Sequence, residues 1–64
     1  MKYRKKRIDE FQLGEQVIWL HDRLATEGVV INISPPRVQI SVKDDKDDGI
    51  VLRWVMPENL RVKE

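Results

Sequence analysis

Sixty-four residues leave room for one hydrophobic core and no second domain, and the absence of cysteine excludes disulfides, thiolate nucleophiles and cysteine-based zinc sites. The longest apolar runs, such as Val29-Val30-Ile31 and Ile50-Val51-Leu52, fall far short of the ~20 residues a membrane-spanning helix needs, and no apolar stretch of signal-peptide length follows the basic N-terminus; the expectation is a cytoplasmic protein. The net charge of +1 conceals an asymmetry: Lys2, Arg4, Lys5, Lys6 and Arg7 supply five of the 12 Lys and Arg, while all 11 Asp and Glu lie from residue 9 onward, so a basic arm precedes an acidic body.

Residues 1–10 offer only Tyr3 and Ile8 as large apolar side chains, too few to offset the ordering entropy of a packed element. This segment reads as a flexible arm and residues 11–64 as the folded domain. Phe11-Gln12-Leu13-Gly14 leads through a turn into a first strand, Glu15 to His21, built on Val17, Ile18 and Trp19. The polar stretch from His21 to Gly28 breaks that pattern and reads as a loop. Gly28 to Ser34, rich in β-branched residues, makes a second strand that stops at Pro35-Pro36, where two backbone donors are missing.

From Arg37 to Lys43 the alternation is strict, with Val38, Ile40 and Val42 facing one way and Arg37, Gln39, Ser41 and Lys43 the other. Asp44-Asp45-Lys46-Asp47-Asp48-Gly49 is a polar turn with an Asp-Gly ending, so the third and fourth strands form an antiparallel hairpin. The fourth strand, Ile50 to Val55, is apolar on both faces and is predicted to lie centrally. Pro57-Glu58-Asn59-Leu60 predicts a single 3-10 turn that delivers Leu60 to the core. Arg61 to Glu64 adds a short last strand with Val62 inward. Five short strands and no helical periodicity predict an all-β domain that hides its edges by closing into a small barrel.

The layout Gly14-x-x-Val17, then Gly28-x-Val30, then an alternating strand, then Trp54-Val55-Met56-Pro57-Glu58-Asn59-Leu60 resembles small SH3-like barrels of the KOW and Tudor kind over roughly residues 11–63. The resemblance implies a five-stranded barrel with a 3-10 turn before its last strand. It implies less about function, because this fold serves nucleic-acid binding, peptide binding, methyl-lysine recognition and subunit packing alike. The closely spaced aromatics of peptide-binding and aromatic-cage members do not occur in the first loop.

Candidate chemistry is sparse. His21 is the only histidine, so a zinc site would need oxygen ligands around one imidazole. The acidic turn at 44–49 has carboxylates for calcium, but an EF-hand starting at Asp44 would place Lys46 and Val55 where an oxygen ligand and a bidentate glutamate belong. The hydroxyls of Tyr3, Thr26, Ser34 and Ser41 sit in no recognisable catalytic setting. No enzyme, metal or cofactor is expected.

Two binding readings remain. Trp19 and Trp54 are candidates for the core, yet a domain this small struggles to cover two indoles. An outward Trp54 with Met56, Val51 or Val55 would form an apolar patch of the kind that marks protein interfaces. That makes the expected function a small adaptor module that docks onto a protein partner, a larger complex or a second copy of itself. The alternative is nucleic-acid binding, with Lys2, Arg4, Lys5, Lys6 and Arg7 holding phosphates while Arg37, Arg53 and Arg61 line the strand face.

Overall fold

A computed structural model describes residues 2–44 and 49–63. The fold is all-β: β1 (Tyr3–Arg4), β2 (Gln16–His21), β3 (Leu24–Ser34), β4 (Arg37–Lys43), β5 (Ile50–Val55) and β6 (Leu60–Lys63) form one antiparallel sheet. Its order is β1-β6-β2-β3-β4-β5 and it is not closed, so β1 and β5 are its two edges. β2 to β5 make a meander. The chain then turns through a 3-10 element, Pro57–Asn59, which lays β6 back beside β2.

The core is a cluster of Phe11, Val17, Val30, Val38, Ile40, Val42, Val55, Leu60 and Val62, with Ile8, Trp19, Ile33 and Val51 packed against it. β4 contributes its whole apolar face, as its alternation requires. A bulge in β3 lets two residues three apart serve the same core: Val30 pairs with Ile40 and Asn32 with Gln39, so the extra residue, Ile31, turns outward and Ile33 comes back to the buried face. Leu60 follows the 3-10 turn and is completely buried. Gly28 lies between Val17 and Val42 in the sheet, and a Cβ there would sit 3.0 Å from both the Ser41 carbonyl oxygen and Val42 Cγ1.

The strand pattern read from sequence corresponds to β2 through β6, with four corrections. The stretch from His21 to Gly28 is no loop: Asp22 and Arg23 both have positive φ (44° and 65°), forming a two-residue turn whose twist suits a hairpin, and β3 begins directly at Leu24. Six strands replace five, and the sheet stays open where a closed barrel was expected. The sixth comes from the segment expected to be a flexible arm: Tyr3 pairs with Lys63 and Arg4 with Val62, and a 3-10 turn at Ile8–Glu10 brings Ile8 against the core. Lys6 fastens this segment, bonding the Glu10 carbonyl at 3.3 Å and pairing with the Glu15 carboxylate. Finally, β5 is an edge strand and not a central one. Its second apolar face is left open.

Candidate functional site

β5 starts from a hairpin in which the Asp44 N–H donates to the Gly49 carbonyl at 2.8 Å, and its register runs from Lys43 opposite Ile50 to Val38 opposite Val55. Bonded and non-bonded pairs alternate along an antiparallel ladder. The bonded positions are therefore Val51, Arg53 and Val55, and the N–H and C=O groups of Ile50, Leu52 and Trp54 point away from β4. One of these groups has an acceptor role already: the Arg53 guanidinium donates to the Leu52 carbonyl at 3.2 Å from its own strand.

The side chains of the same three residues face away from the core. Ile50 is 74% exposed, Leu52 51% and Trp54 46%, and Met56 just beyond the strand is 37% exposed. On β4 their cross-strand neighbours are Lys43, Ser41 and Gln39, so an apolar row runs along the sheet margin with a polar row inside it. The Ile50 end of the row opens into a groove of about 550 Å³ that Tyr3, Ile18, Val29, Lys43 and Lys63 also line.

Of the interface residues expected from sequence, Trp54 and Met56 are on this surface. Val55 is not: it is buried in the core, and Val51 is half-buried against the same core. Val51 and Val55 turn toward the core while the even positions of β5 turn outward, so the surface includes Ile50 and Leu52, which sequence reasoning missed. The alternation that places Trp54 outward carries both with it, and was the available signal. Trp19 packs against the core with its ring stacked on His21, centroids 3.8 Å apart.

Lys5, Lys6 and Arg7 line one groove with Pro36, Met56 and Glu58, and several of the basic residues already have partners. Arg4 pairs with Glu10 at 3.8 Å, Arg7 with Glu10 at 3.3 Å and Asp9 at 3.7 Å, and Lys6 with Glu15. Lys2 and Lys5 are exposed. Arg4 belongs to the β1 edge and Arg53 to the opposite edge. Arg37 is exposed at the start of β4, and Arg61 turns onto the backbone, donating to the Glu58 and Leu60 carbonyls at 2.8 and 2.9 Å. Glu10 has its pKa held below the ordinary carboxylate value, chiefly by the Arg7 backbone N–H, with the Arg7 and Arg4 charges adding to it against a smaller cost of desolvation.

Among the described residues no group of three or more His, Cys, Asp or Glu is arranged to hold a metal. His21 Nε2 lies 2.8 Å from the Thr26 hydroxyl. Asp45, Asp47 and Asp48 of the acidic turn lie outside the described residues, and the calcium reading lies there with them. No helix of the described residues is long and apolar enough to cross a membrane. Comparison with known proteins finds no matching family model, no matching curated protein and no matching solved structure.

Proposed function

We propose that this chain is a small non-catalytic binding module of the cytoplasm that docks onto a protein, and that the apolar row on β5 is its docking surface. One observation carries the reading: Ile50, Leu52 and Trp54 are exposed along a strand that has no neighbour on its outer side among the described residues, and exposed Met56 follows just beyond it. Aromatic and aliphatic side chains concentrated at one margin are the usual centre of a protein interface, with polar residues around them. The strand order β6-β2-β3-β4-β5, with a 3-10 turn before the last strand, supports reading the fold as an opened variant of an SH3-like barrel of the KOW or Tudor kind. The extra β1 and the open edge are departures from it. Ion pairing of Arg4, Lys6 and Arg7 speaks against the nucleic-acid alternative, because those cations already have carboxylate partners.

Affinity capture with the intact chain and with a Leu52→Lys, Trp54→Glu variant tests the reading. Proteins recovered by the first and lost by the second are the expected result. Identical recovery with both would overturn it. An oligonucleotide titration at two salt concentrations separates the alternative: tight binding that falls steeply with salt and disappears in a chain starting at Ile8 would make nucleic acid the ligand.

A further inference from the structure

We infer that the first occupant of the β5 edge is a second copy of this chain, with the two β5 strands antiparallel about a two-fold axis at Leu52. The inference rests on the docking reading above and deepens it. The outward N–H and C=O groups belong to Ile50, Leu52 and Trp54. Placing Leu52 opposite Leu52 of the second copy sets Ile50 opposite Trp54 of that copy, and every pair then exchanges both of its backbone bonds. The same register puts apolar side chains opposite apolar side chains along the whole row, with Lys43, Ser41 and Gln39 flanking it on each side. A two-fold contact must be complementary to itself, and β5 meets that demand in both backbone and side chains.

The two edges of the sheet differ in the way this requires. β1 is only two residues long and has Lys2, Arg4 and Lys5 around it, the usual protection against edge pairing. β5 is six residues long and its outward row has no charge. Among the described residues its guard is Arg53, whose side chain bonds the Leu52 carbonyl and must release it for the copy to dock. In the register above Arg53 lies opposite Val51 of the second copy, so the two guanidinium groups do not face each other. One strand and four partly exposed side chains amount to less than the about 1,200 Å² of total surface that stable complexes bury. The association is therefore reversible and rises with concentration.

Sedimentation equilibrium across micromolar to millimolar protein tests this. The mass should climb from 7.6 kDa toward twice that value. Leu52→Lys sets two like charges opposite each other and should weaken association by about tenfold or more. Arg53→Ala frees the Leu52 carbonyl and should strengthen it. Circular dichroism checks that both variants remain folded, which the exposure of both side chains favours. The axis has its own test: Leu52→Cys should oxidise to a cross-linked dimer, since cross-strand Cα atoms about 5.5 Å apart suit a disulfide, and Ile50→Cys should not. A constant monomer mass at millimolar protein, a dimer indifferent to Leu52→Lys, or equal cross-linking by both cysteines would overturn the proposal. A constant monomer that still captures a different protein through Leu52 and Trp54 would do so while leaving the docking reading intact.

Discussion

The Lys6 ammonium group lies against the Glu15 carboxylate, joining the segment that holds β1 to the entrance of β2. Both side chains are mostly buried, at 14% and 23% exposure. The second Glu15 oxygen accepts the Gln12 N–H at 3.2 Å, so one carboxylate organises the whole approach to the sheet. Lys6→Met removes the cation and leaves Glu15 short of a partner. We expect a loss of about 1–2 kcal/mol in urea unfolding, below the full penalty of breaking a deeply buried pair. Hydrogen exchange should locate the damage, with the Tyr3 and Arg4 amides losing protection before those of β3 and β4.

Asp22 and Arg23 hold left-handed backbone that costs an L-residue energy and costs glycine none. Arg23→Gly, alone or with Asp22→Asn, supplies the residues that such a two-residue hairpin favours. The expected gain is about 0.5–1 kcal/mol, seen as a thermal midpoint several degrees higher. Arg23→Val should shift it the other way.

Gly28 answers to space, since no side chain can enter between Val17 and Val42 without meeting the Ser41 carbonyl. Backbone on a central strand gives way poorly. Gly28→Ala should cost about 1–3 kcal/mol, against a total of roughly 3–10 kcal/mol for a chain of this size. Gly28→Val should abolish the cooperative unfolding transition.

Glu10 provides the pH dependence. Its carboxylate has a lower pKa in the folded chain than its ordinary 4.5, so its ionised form stabilises the fold above that pH. The contribution is lost as pH falls through the folded value. An NMR titration of the Glu10 carboxyl carbon should give a midpoint below 4.5, and Arg7→Ala should move it back up. Because Glu10 is at the surface, the acid effect should be confined to the segment around Ile8–Glu10 and leave the β3 and β4 amides unchanged.

The strands with one wet face were legible in the sequence. Val38, Ile40 and Val42 announced the buried side of β4 because charged and polar residues occupied every position between them, and Pro57-Glu58-Asn59 announced the turn that seats Leu60. β5 was misread as central because apolar residues on both faces have two causes: cover on both sides, or one side left for a partner. The same ambiguity put Val55 with Trp54, although adjacent residues of a strand cannot share a face. The Asp22-Arg23 turn was hidden because Asp22, which tolerates positive φ, is followed by Arg23, which does not mark it. β1 was hidden because its stability is not local: it depends on β6 at the far end of the chain and on Glu10 and Glu15 as counter-charges.

Tyr3 and Lys63 are cross-strand partners, so the two ends of the described chain come together at one margin of the sheet. A linker of a few residues would join them into a ring, and fresh ends could then be opened at Asp22-Arg23 without cutting any strand. The same proximity means that anything fused before Tyr3 or after Lys63 leaves from a single side of the domain. That side borders the groove that Tyr3 and Lys63 share with Ile50, so cargo of either kind leaves beside the Ile50 end of the docking row.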